Sequence, residues 1–159
     1  MKSLNNRIFP ILLAVFLILL AGNAFAKTWP GRQEKNLGLG VKTSFPYAEF
    51  GEDANTGWGV AGMVDYPLIP LLDLTADVGY NHFAGMGEKD GVDVWNFCFG
   101  GRLALGAFFM GGETGYFSHG NDWSFVPSMG LRFGQLEGAI RYKSVGANGW
   151  TSLRFGYYF

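Results

Sequence analysis

The feature that most constrains this chain is a period of two. From Leu37 to Phe159, apolar side chains recur at alternate positions in eight successive segments, the pattern of strands with one greasy face. Leu37, Leu39, Val41, Thr43 and Phe45 oppose Gly38, Gly40, Lys42 and Ser44. Trp58, Val60, Val64 and Tyr66 oppose Gly59, Ala61, Met63 and Asp65, and Leu72, Leu74, Ala76, Val78 and Tyr80 oppose Asp73, Thr75, Asp77 and Gly79. Trp95, Phe97, Phe99 and Leu103 oppose Asn96, Cys98, Gly100 and Arg102. In the Gly-rich fifth segment, Ala107 to Phe117, parity is set by Glu113 against Met110, Thr114 and Tyr116. Trp123, Phe125, Pro127, Met129, Leu131 and Phe133 then oppose Ser124, Val126, Ser128, Gly130 and Arg132. Leu136, Ile140 and Tyr142 oppose Glu137, Ala139, Arg141 and Lys143, and the last segment sets Leu153, Phe155, Tyr157 and Phe159 against Ser152, Arg154, Gly156 and Tyr158.

Each segment has the roughly 9–11 residues a tilted strand needs to cross a hydrocarbon layer. Their connections alternate between longer polar stretches, such as those with Glu49, Glu52 and Asp53 or with Glu88, Lys89 and Asp90, and tight turns such as Gly134-Gln135. Pro127 lies inside the sixth segment, where its missing N–H predicts a bulge or a lapse in pairing.

Alternation does not say which face is inside, because a soluble carrier would turn the apolar set inward. Three observations point it outward. The other face is built from small residues such as Gly38, Gly40, Gly59, Gly79, Gly100 and Gly130, suited to a crowded lumen. Its charges nearly cancel: Lys42, Arg102, Arg132, Arg141, Lys143 and Arg154 against Asp65, Asp73, Asp77, Glu113 and Glu137, as a sealed ion-pair network requires. Aromatic residues sit at both ends of the apolar face, Phe45, Trp58, Tyr80 and Trp123 at the loop end and Tyr66, Phe133 and Phe159 at the turn end, as two interfacial belts. The fold expected is all-β: an eight-stranded antiparallel up-and-down transmembrane β-barrel, closed because an open edge has no partners in lipid. Eight strands leave an interior that side chains fill, so no solute pore is expected.

Composition agrees. Glycine reaches 25 of 159 residues with no collagen-like repeat, and 12 basic against 13 acidic side chains give no reason for a nucleic-acid partner. The lone Cys98 supports neither a disulfide nor a cysteine metal site, and reads as a small lumen filler. No metal site and no cofactor are expected.

Ahead of the strands, Lys2 and Arg7 precede an apolar run from Ile8 to Ala21, too short to span a bilayer, followed by Ala24-Phe25-Ala26. The division expected is a signal peptide over 1–26 cleaved near Ala26, a short periplasmic lead-in over 27–36, and the barrel over 37–159.

The pattern resembles the small eight-stranded outer-membrane barrels of Gram-negative bacteria, the OmpA transmembrane domain and OmpX class. The ending Leu153, Phe155, Tyr157, Phe159 is similar to that class's assembly signal. The resemblance implies a bacterial outer-membrane location, contact with outer-membrane lipids and lipopolysaccharide, transient contact with the barrel-assembly machinery and periplasmic chaperones, a monomeric state, and a structural or surface role. Unlike OmpA, the sequence ends at the barrel, which implies no tethering of the cell wall, and its short loops weigh against adhesion.

Two other readings set the comparison. Lipid A acyltransferases and deacylases are also eight-stranded barrels and need His, Ser and carboxylate together at the outer rim; Ser118, His119 and Asp122, with His82, supply the residue types. Polar turn chemistry accounts for the same residues, and no catalytic centre is expected. A narrow low-conductance channel is the second alternative to a filled lumen. Glu49, Glu52, Asp53, Glu88 and Asp90 read as solvated loop tips more readily than as ligands for divalent cations.

Overall fold

The computed structural model describes residues 36–69, 71–120, 122–143 and 149–159. Its strands are β1 (Asn36–Tyr47), β2 (Ala54–Ile69), β3 (Leu72–Gly85), β4 (Val92–Leu105), β5 (Phe108–Phe117), β6 (Asp122–Phe133), β7 (Leu136–Lys143) and β8 (Gly149–Tyr158), with one short helix, α1 (Glu49–Asp53). Each strand pairs antiparallel with the next in the chain, and β8 returns to β1, with Gly40 opposite Gly156 and Lys42 opposite Arg154. The result is a closed up-and-down barrel with no free edge to need another partner. The segment expected as signal peptide lies outside the described residues, and Asn36, read from sequence as lead-in, already belongs to β1.

The two faces separate by parity. Along β8, Ser152, Arg154 and Tyr158 are buried while Leu153, Phe155 and Tyr157 are exposed. On β5, Phe109, Glu113 and Phe117 point inward and Phe108 and Met110 outward, which fixes the register that glycine left weakly specified.

The β2–β3, β4–β5 and β6–β7 connections, with turns at 106–107 and 134–135, fall at one end, and the connections at 48–53, 86–91 and 118–120 lie at the other. Gly106 and Gly134 carry φ of 66° and 59°, the left-handed backbone that a two-residue hairpin turn demands. At the loop end, α1 stands where sequence alone reads a polar loop, because Phe50 gives that stretch an apolar anchor.

Pro127 breaks one ladder and spares the other. Its pairing with Gly112 on β5 continues in register, whereas the ladder to β7 runs only from Phe133–Leu136 to Ser128–Arg141. Among the described residues, Tyr142 and Lys143 pair with β8 alone.

Candidate functional site: the barrel lumen

The inward faces stack in three tiers. Nearest the turns, Asp65 of β2 accepts from Arg102 of β4 at 3.0 Å and from Arg132 of β6 at 2.9 Å. Glu137 of β7 accepts from Arg102 and from Arg154 of β8, each at 2.8 Å, and from the Tyr158 hydroxyl at 3.1 Å. Towards the middle, Arg141 bridges Asp77, at 2.6 Å, and Glu113, which also accepts from Thr75 at 3.0 Å. The guanidinium planes of Arg102 and Arg132 cover the rings of Phe109 and Tyr158, at 4.1 and 3.8 Å from their centroids. Seven strands are tied across the lumen. Each of these four buried carboxylates has an arginine partner, which offsets the cost of taking it out of water.

The second tier is polar and uncharged except for Lys42. Its ammonium donates to Asn96 Oδ1 at 3.2 Å, and Asn96 Nδ2 donates onward to Asp77 at 2.9 Å. The Ser44 and Ser152 hydroxyls meet at 2.8 Å, and Ser44 donates to Asn81. Gly79 makes the tier possible, since a Cβ there would occupy the space of Lys42 Nζ and stand 2.6 Å from Asn96 Oδ1.

The third tier, under the loops, is apolar, and at this end the expectation of a polar, ion-paired interior is corrected. Phe83, Val94, Phe117, Val126 and Trp150 are buried together with Phe50, which α1 inserts from the mouth. Phe50 lies 4.9 Å from Phe83, 5.8 Å from Trp150 and 5.0 Å from His119, ring centre to ring centre. Lys143 Nζ sits over Trp150 at 3.9 Å and near Phe117 at 4.5 Å. Ala48, just before α1, holds φ 57° and ψ −145°, a backbone region that favours glycine, so packing of Phe50 holds a strained corner in place. Between the second and third tiers lies a cavity of about 20 Å³, room for one water-sized occupant.

Among the described side chains, the residues proposed for acyl transfer make their contacts with other partners. His82 Nδ1 lies 2.7 Å from Asp93, which also accepts from the Tyr80 hydroxyl at 2.7 Å, on the outward face of β3 and β4. The Ser118 hydroxyl accepts from the Trp95 amide at 2.9 Å. His119 faces Phe50, and burial, aided by Lys143, pulls its pKa below the ordinary value. The side chain of Asp122 lies outside what is described.

Of the residues read as the lumen network, Asp73 is only half-buried and enters no ion pair among the described residues, and Lys42 enters none either. Of the acidic loop residues, Asp53 pairs with Lys89, while Glu49, Glu52, Glu88 and Asp90 are exposed. Cys98 is buried on the lumen side, and it groups with Asp77 and Glu113 within 4.8 Å, but Arg141 already fills the space between those carboxylates. Sequence reasoning put Asn81 and Asn96 on the lumen face without giving them a part in its network, and it passed over the inward aromatics under the loops. Continuing the alternation to the strand ends would have found them, since Phe83, Val94, Phe117 and Trp150 share the parity of the charged face.

Outside, the surface is the reverse of a soluble protein's. Phe155 is 66% exposed, Phe125 64% and Leu39 63%, and the belt residues Phe45, Trp58, Tyr66, Trp123 and Phe133 are exposed as well. Such a continuous apolar girdle far exceeds the patches that water-soluble monomers tolerate. No helix among the described residues is long and apolar enough to cross a membrane, so crossing falls to the strands.

No protein-family model and no curated protein matches the sequence. Among solved structures, the chain is similar to Ail, the attachment invasion locus protein of Yersinia pestis, at 12% identity over 79% of this chain and 97% of that one, with a TM-score of 0.52. A transmembrane β-barrel from de novo design aligns at 15% identity over 84% of this chain and 100% of the designed one, with a TM-score of 0.49. The likeness to Ail is one of fold: a small transmembrane barrel of eight strands.

Proposed function

We propose that this chain is a bacterial outer-membrane barrel with a structural or surface role, exerted through its lipid-facing girdle and its loop end, with a sealed lumen and no catalysis. The observation that carries the reading is the interior. Arginine–carboxylate pairs close the turn end, Phe50 and its aromatic neighbours close the loop end, and the space between them amounts to about 20 Å³. A hydrated ion path needs a continuous water column, and the buried ion pairs and the Phe50 cluster stand across the lumen where it would run.

Against lipid A chemistry, the histidine with a carboxylate, His82, lies on the outward face with Asp93, and the Ser118 hydroxyl is engaged by a backbone amide of β4. Two strand pairings separate His82 from Ser118 in the sheet, and His119, next to Ser118 in the chain, turns its ring to Phe50, which supports the non-catalytic reading. In this reading the barrel is a monomer, delivered by periplasmic chaperones and inserted by the assembly machinery through its last strand, Leu153 to Phe159. Its lasting neighbours are lipids and lipopolysaccharide.

The test is conductance of the purified barrel in planar bilayers, run beside a known porin. Silent bilayers that nonetheless hold folded protein, judged by its heat-modifiable electrophoretic mobility, agree with a plug. Large, stable openings contradict it.

A further inference from the structure

The cavity between the polar and aromatic tiers is unusual in its walls. Lys42, Arg141 and Lys143 line it, as do Asn81, Ser152 and Trp150, and among the described residues no carboxylate does. Of the buried acidic groups among the described residues, Asp65 and Glu137 lie at the turn end with Arg102, Arg132 and Arg154, and Asp77 and Glu113 are held by Arg141. Lys42 is 5% exposed, and its ammonium has an amide oxygen where a buried cation ordinarily has a counter-charge. The Nε–H of Arg141 is buried with no hydrogen-bond acceptor, although its terminal nitrogen serves two carboxylates. The cavity thus meets an ammonium with no carboxylate at ion-pair distance among the described residues and an orphaned guanidinium N–H, two donors without a matching anionic acceptor.

We propose that this cavity binds one small monovalent inorganic anion of the size of chloride or bromide, held by Lys42 and Arg141. Size favours the class, because about 20 Å³ is the space of one water-sized occupant, which a monatomic anion fits more readily than phosphate, sulfate or an organic carboxylate. Chemistry sets the sign. A water there would take the N–H bonds but leave Lys42 with no direct counter-charge, Asp77 reaching it only through Asn96, whereas a halide supplies both an acceptor and an adjacent charge. The Ser152 hydroxyl and the Asn81 amide add neutral donors to the same wall. The anion is then a structural member of the plug, joining the ionic tier to the aromatic one.

The experiment uses the folded barrel in detergent, crystallised in sodium bromide, with data collected at the bromine absorption edge. One anomalous peak per chain is expected in the lumen, within about 3.5 Å of Lys42 Nζ. Asn81→Asp, which places a carboxylate on the cavity wall, and Lys42→Met are both expected to abolish the peak. The first keeps the test alive should the second fail to assemble. In solution, replacing sodium gluconate by sodium bromide at equal ionic strength is expected to raise the Tm of the parent barrel and to leave that of Asn81→Asp unchanged. A parent crystal with no anomalous peak in the lumen overturns the proposal, as does a peak that survives in either variant or a Tm indifferent to the halide.

Discussion

Glu137 concentrates the chemistry of the lumen in one side chain. It accepts from Arg102, Arg154 and the Tyr158 hydroxyl while itself 3% exposed, so its charge is bound up with two buried guanidinium groups. Glu137→Gln keeps the shape and removes the charge, and breaking a buried pair in this way is expected to cost about 3–5 kcal/mol. Reversible urea unfolding in lipid vesicles measures it, with Glu88→Gln on an exposed loop expected to stay within about 0.5 kcal/mol of the parent. A Glu137→Gln barrel as stable as the control would mean that the network is ornamental. Parity alone put Glu137 and its partners inside, because a strand has only two faces. Which arginine meets which carboxylate was not legible, since Arg102 of β4 reaches Asp65 of β2 and Glu137 of β7 across the lumen, and that depends on the stagger of the closed sheet. Lys42 shows the same limit: in sequence it is one more lumen cation, and only the register places it above the carboxylates.

Among the elements, β6 and α1 depart most from the regular pattern. β6 keeps its ladder to β5 and ends its ladder to β7 at Ser128, next to Pro127. The sequence showed that a hydrogen bond would be missing, but the side on which it is missing depends on pairing. Pro127→Val restores the N–H and is expected to slow amide exchange at Tyr142 and Lys143 by about ten-fold or more, read by NMR in micelles. Unchanged exchange would show that the proline does not set the end of that ladder. α1 was invisible as an element because five residues carry too little periodicity to announce a helix. Its cap joins Phe50 to His119, whose proton is held less tightly when the cap is packed than when it is open. The open state therefore binds the proton better, and the cap is at full strength above the ordinary histidine value of 6.5 and loosens as pH falls below it. Lower protection of residues 50–54, taken relative to the intrinsic exchange rate at each pH, on acidification from pH 7.5 to about pH 5, absent in His119→Gln, is the expected outcome. A cap that is indifferent to pH would remove His119 from the contact.

At the scale of the molecule, closure and orientation are one statement. A sheet of eight strands with no edge, greasy outside and ionic within, has only one solvent in which it is stable without a partner. That much was readable because alternation holds over nearly every strand and the turns fall at one end. The interior's division into ionic, polar and aromatic tiers was not, because it depends on how residues of different strands come level. Orientation is tested most directly by fluorescence quenching in vesicles made with brominated acyl chains. With the five native tryptophans replaced by Phe, one protein carries Phe155→Trp, outside at mid-barrel, and a second restores only Trp150, inside under the cap. Strong quenching of the tryptophan at 155 with Trp150 left bright is the predicted result. Equal quenching of both, or a bright residue 155 beside a quenched Trp150, would mean that the apolar face does not look into lipid.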